Sequence, residues 1–169
     1  MPEETGRVVA VQAEVQYQPA EIARQRVRIG LEPEEPERPE GPEGPGTTES
    51  QAVLPWYTSP RPDGARRLLV VVHGALRDAG RYLEDARAAA REHASRTLIV
   101  APQFLADVDL RGGQPPWPGT LYWNAEGWKG GEQALGTAGL SSFTVMDRLL
   151  DQLTALDLWP SGRPPAVVV

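Results

Sequence analysis

From Leu68 to Val72 the chain carries five consecutive apolar residues, and "TLIVAP", Thr97 to Pro102, is a second such run. A strand with one wet face alternates apolar and polar side chains, so unbroken runs predict strands covered on both faces. Between them, Asp78 to Ala94 places Tyr82, Leu83, Ala86, Ala89, Ala90 and His93 on one stripe, with Arg and Glu opposite, which predicts a helix. Strand, helix, strand is a βαβ unit, with parallel strands and a right-handed crossover. A second helix is predicted over "SSFTVMDRLLDQLTAL", capped by Ser141 or Ser142, with Phe143, Met146, Leu149, Leu150, Leu153 and Leu156 as its apolar face. Ala166 to Val169 opens a third buried strand. The pattern predicts an α/β fold with a doubly wound, mostly parallel sheet.

The N-terminal third has the two-residue period of half-buried strands. Val9, Val11, Ala13, Val15 and Tyr17 alternate with mostly polar residues, as do Val27, Ile29 and Leu31, so residues 1–31 read as an antiparallel β-hairpin segment. "AVLPWYTSP", Ala52 to Pro60, predicts one more strand, and its internal proline suits an edge. Between them, residues 32–50 form an acidic Pro-rich linker or insertion. Pro33, Pro36, Pro39, Pro42 and Pro45 recur every third residue, the repeat of polyproline II. That spacing suits either a solvated spacer or a ligand for a Pro-binding module.

Charge changes the picture little. The net charge of the 169 residues is −6, and Glu32 to Gly46, with six Glu and one Arg, supplies −5 of it. The rest is close to neutral, without the basic stripe of a nucleic-acid surface. There is no cysteine, hence no disulfide framework or thiol chemistry. No apolar run approaches the roughly 20 residues of a membrane span, and "MPEETGRVVAV" lacks the pattern of a signal peptide. A cytoplasmic protein without nucleic-acid or membrane partners is expected.

Candidate chemistry gathers where the first buried strand stops, at His73-Gly74. Sheets of this class bind ligands beyond the carboxyl ends of their strands. Gly74 allows a sharp turn, and the N–H groups of Ala75 and Leu76 then face the crevice ahead of a helix, as in an oxyanion hole or an anion nest. "HGALRDAG" holds neither GxGxxG nor GxxxxGK[ST], which excludes the usual nucleotide loops. His73 reads as loop support through backbone hydrogen bonds; as a metal ligand it lacks companions. Asp107 and Asp109 in "DVDL" lack the Gly and Glu of a calcium loop and read as loop residues. No metal or cofactor is expected.

Four segments in order, "LLVVVHGALRDAGRY", "TLIVAPQFL", "LYWNAEGWKGG" and "SSFTVMDRLL", resemble the N-terminal half of an α/β-hydrolase-fold protein of the bacterial esterase and depolymerase-like group. Residues 51–169 are then the N-terminal portion of such a domain, a partial α/β-hydrolase fold. The resemblance implies a serine ester hydrolase acting on a small-molecule ester or polyester. It implies that Ala75 donates its backbone N–H to the oxyanion hole, with Leu76 its neighbour in the loop, and that "PPAVVV" is the strand before the nucleophile. The nucleophile elbow G-x-S-x-G is not in these residues: of Ser50, Ser59, Ser95, Ser141, Ser142 and Ser161 none has glycine at both required positions. Both histidines, His73 and His93, precede the place the triad order requires. The 169 residues are therefore expected to be inactive alone, completed by further residues or a complementary C-terminal fragment, and prone to self-association. A non-catalytic α/β binding or interaction module is the alternative.

Gln103 to Leu140 remains: thirty-eight residues with eight Gly and three of the five Trp. Loops this long are functional or disordered, and the aromatic content argues against disorder. Tyr122, Trp123 and Trp128 are expected either to wall the crevice and bind substrate or to fold back and pack the loop.

Overall fold

The computed structural model describes residues 19–30, 52–62, 64–136 and 140–156, and the backbone of 167–168. The chain has mixed α/β content. Five strands form the main sheet: β1 (Gln25–Ile29), β2 (Ala52–Thr58), β3 (Arg67–Val70), β4 (Thr97–Pro102) and β7 (Val167–Val168), in the order β1-β2-β4-β3-β7. β1 pairs with β2 and β2 with β4 antiparallel, while β3 pairs parallel with β4 and with β7. The expectation of a mostly parallel sheet is thus corrected: the described pairings are mixed, two of each kind.

Helix α1 (Ala79–Ala90) joins β3 to β4, and α3 (Ser142–Thr154) precedes β7. They cover opposite faces of the sheet. Leu68, Val70, Leu98 and Val100 point one way, into a core with Val145, Leu149 and Leu153 of α3. Ile99 and Ala101 point the other way, onto Ala79 and Leu83 of α1, with Leu69 and Val71 beside them. Two faces covered by helices explain why β4 is buried along its whole length and why its sequence shows no alternation. The two connections, β3 to β4 and β4 to β7, run in opposite directions across opposite faces, so they share one hand.

α1 begins where expected. The carboxylate of Asp78 accepts the N–H of Arg81 at 3.2 Å. The helix stops at Ala90, and residues 91–96 continue as a 3-10 turn holding His93, short of the expected end at Ala94. Ser141 caps α3 by accepting the N–H of Thr144 at 3.0 Å. The buried face of α3 is rotated from the expected one: Val145 is fully buried, whereas Phe143 is 59% exposed and lies over Gly131.

β2 is not an edge. It lies between β1 and β4, and its first residues pair with the loop at Thr120 through Val53. Pro55 is tolerated because of its register. Its carbonyl accepts the N–H of Gln103, one residue beyond the β4 ladder, so its ring nitrogen lies at the last rung, where that single bond closes the pairing. The first strand of the expected hairpin, Val9 to Tyr17, and the Pro-rich segment 32–50 lie outside the described residues.

The long segment after β4 is folded. Strands β5 (Leu105–Ala106) and β6 (Tyr122–Trp123) pair in parallel, and a single helical turn, α2 (Gly127–Gly130), follows.

Candidate functional site

The turn His73 to Asp78, between β3 and α1, is built from its carbonyls inward. The N–H of Arg77 donates to Gly74 O at 2.9 Å, closing the turn, and His73 Nδ1 donates to the same oxygen at 2.9 Å. One guanidinium NH₂ of Arg77 donates to Ala75 O at 2.6 Å. Gln103 Nε2 donates to Arg77 O at 3.0 Å. A trans peptide sets its N–H opposite its C=O. With the carbonyls of Gly74 and Ala75 held inside, the N–H groups of Ala75 and Leu76 face outward. Neither donates a hydrogen bond within the described residues, and both residues are exposed.

Each inward hold has its own anchor. His73 is 3% exposed, and its Nε2 accepts the N–H of Phe104 at 2.9 Å. Both ring nitrogens therefore serve backbone, Nδ1 as donor and Nε2 as acceptor, which requires the neutral ring. Burial pushes its pKa below the ordinary histidine value, against the opposing pull of the Gly74 carbonyl. Arg77 is 1% exposed. Its Nε and second NH₂ grip Asp109 at 2.7 and 3.1 Å. Asp109 is likewise buried and also accepts the N–H groups of Ala20 and Ala106, each at 2.7 Å. Asp109, expected to be an ordinary loop residue, is thus half of a buried ion pair. Arg77 takes the strained backbone, with φ 56°, so the sharp turn assigned to Gly74 belongs three residues later. Gly74 leaves room for Tyr82: a Cβ there would stand 2.9 Å from its hydroxyl, which would have to shift.

In front of the turn lies a shallow pocket of about 290 Å³, bounded by Gly74, Ala75 and Leu76 and by the first turns of α1. Asp78, Arg81, Tyr82 and Asp85 line it from the helix, so its formal charge is −1. A permanent anion is disfavoured there. A neutral carbonyl group escapes that repulsion and could accept from the two outward N–H groups.

Of the two arrangements expected for the aromatic residues, Trp123 and Trp128 show the one that packs the loop. Trp123 is fully buried, donates through Nε1 to Glu132 O at 2.9 Å and packs on Phe104. Trp128 is 7% exposed, stacks on Phe104 and meets the His73 ring edge to face at 4.6 Å. Both rings are core, and their tie to the site is indirect, through the underside of His73. Tyr122 is half-buried, with its hydroxyl against Gly136. None of the three lines the pocket at Ala75.

Three of the four described serines are hydrogen-bonded away from this turn, and the fourth is buried. Ser59 Oγ accepts the N–H of Ile99, Ser95 Oγ donates to Glu92 O, Ser141 caps α3, and Ser142 Oγ is buried without a partner. Among the described residues no cluster of three or more His, Cys, Asp or Glu is placed to hold a metal, and no helix is long and apolar enough to cross a membrane.

Comparison with protein-family models, with curated proteins and with solved structures finds no match to this chain.

Proposed function

We propose that this chain carries the oxyanion-binding side of a serine ester hydrolase site of α/β-hydrolase type. The observation that carries the reading is the pair of outward N–H groups at Ala75 and Leu76, set in a turn whose Gly74, Ala75 and Arg77 carbonyls are tied inward. In hydrolases of that class one oxyanion donor comes from the loop between the third strand and the helix after it, and the other from the residue following the nucleophile. Here that loop follows β3 and leads into α1. A helix on each face supports a doubly wound sheet. β7 lies beside β3 in parallel, Leu68 opposite Val167, so a turn leaving β7 would emerge next to Ala75.

In this reading the ester carbonyl oxygen sits against the Ala75 N–H, with the Leu76 side chain, 76% exposed, beside the acyl or alcohol group. Preformed donors aimed at the developing charge are worth most where water is excluded. The negative lining of the pocket favours a neutral ester over an anionic ligand. Nucleophile, acid and base would come from residues C-terminal to Val169 or from a second polypeptide.

The test compares two chains. The 169-residue chain should neither hydrolyse p-nitrophenyl acetate or butyrate nor label with a fluorophosphonate. A chain continued through a Gly-x-Ser-x-Gly soon after β7 should do both. Stoichiometric serine labelling of the short chain, or an inert folded long chain, would overturn the proposal.

A further inference from the structure

The geometry points to Arg77 and Asp109 as a positioning pair that aims the Leu76 N–H directly and steadies that of Ala75 through the Arg77 backbone N–H on Gly74 O, an inference that rests on the oxyanion reading of those donors. The two side chains are 1% and 0% exposed and lie thirty-two residues apart in sequence. Replacing a buried ion pair by apolar side chains is often neutral or stabilising, so stability alone does not explain this one. Its geometry supplies another reason. The guanidinium is planar and rigid. With Nε and one NH₂ on the two oxygens of Asp109, the guanidinium plane is fixed, and an N–H of the other NH₂ meets Ala75 O at 2.6 Å. Holding that carbonyl orients the Ala75–Leu76 peptide plane and, with it, the Leu76 N–H on the far side.

The clamp is itself held. Asp109 accepts the backbone N–H groups of Ala106 and Ala20, one from the strand below and one from the segment before β1. Arg77 adopts a left-handed φ of 56°, which for a non-glycine residue persists only where the surroundings impose it. Here the imposing contacts are Asp109, Ala75 O, and Gln103 on the Arg77 carbonyl. Lysine could keep the charge but could not span both Asp109 oxygens and the Ala75 carbonyl from a single nitrogen.

The experiment is ¹⁵N relaxation on the 169-residue chain. In the native chain the Ala75 and Leu76 amides should be as rigid as α1, with order parameters near 0.85 despite their exposure. In the double variant Arg77→Met, Asp109→Leu, which removes both charges, the two values should fall below about 0.6 while α1 and β4 keep theirs. A role in stability alone would move the melting temperature and leave the two amides rigid. Rigid amides in the folded double variant would therefore overturn the inference, as would flexible ones in the native chain. Should the double variant not fold, Arg77→Lys is measured, with the same release expected and the same rigidity overturning it. Failure of the oxyanion reading shows elsewhere, in the rate of an active longer chain.

Discussion

His73 Nε2 accepts the backbone N–H of Phe104 at 2.9 Å while Nδ1 of the same ring donates to Gly74 O. One imidazole therefore ties the link between β4 and β5 to the turn that follows β3, and it does so only when neutral. Its pKa is lowered in the folded state, chiefly by burial. The folded state then binds fewer protons than the unfolded one below about 6.5, and stability falls as pH drops from there through the lowered value. Thermal melts from pH 8 to 5 should show an acid loss in the native chain that is smaller in His73→Gln. His93→Gln, changed at an exposed ring, serves as the control. Superimposable profiles for the native chain and His73→Gln would remove the argument.

Gly74 and Tyr82 form a second testable pair. A methyl group at Gly74 would meet the Tyr82 hydroxyl at 2.9 Å and the ring carbon bearing it at 3.9 Å. Gly74→Ala should cost about 1 kcal/mol, in the lower range of overpacking. The same change in a Tyr82→Phe background should cost little, since only the ordinary contact remains. A urea double-mutant cycle measures the coupling; a value near zero would show that the glycine serves something other than space.

Trp123 and Trp128 differ in one bond. Trp123 Nε1 donates to Glu132 O, whereas Trp128 Nε1 is buried without a partner. Shrinking either ring to Phe leaves a comparable void, but Trp123→Phe also removes a hydrogen bond, with Glu132 O left to the N–H of Ser142 at 3.2 Å, whereas Trp128→Phe removes an unpaired donor. Trp123→Phe should lose about 0.5–1.5 kcal/mol more than Trp128→Phe. Denaturant melts compare them, and equal losses would count against the bond.

For an active longer chain, Ala75→Gly should be mild because the donor remains. Ala75→Pro removes the N–H and should lower kcat by about 10² to 10³. Circular dichroism supplies the folding control. A folded Ala75→Pro enzyme at full rate would mean that the oxyanion is bound elsewhere.

What the sequence reveals follows the range of its signals. β4 and the start of α1 are legible because burial leaves unbroken or 3.6-periodic apolar runs and because caps are local. The rotated face of α3 is harder: Val145 and Phe143 sit two positions apart, and both are apolar. β2 misleads because a proline is compatible with an internal strand when its nitrogen lies at the end of a ladder. The Arg77–Asp109 pair leaves no periodic trace, since its partners come from separate turns and are chosen by three-dimensional closure. The nearest hint is a charged residue on each side amid apolar neighbours, "ALRDA" and "ADVDL". The tryptophans announce a packed loop without saying which way the rings turn.

The turn at Ala75 and Leu76 is held through the carbonyl oxygens of Gly74 and Ala75, while the two side chains are exposed. Backbone chemistry and side-chain identity are therefore uncoupled at these positions. A combinatorial library varying residues 75 and 76, proline excepted, should diversify what the pocket accepts while every member keeps the same pair of donors.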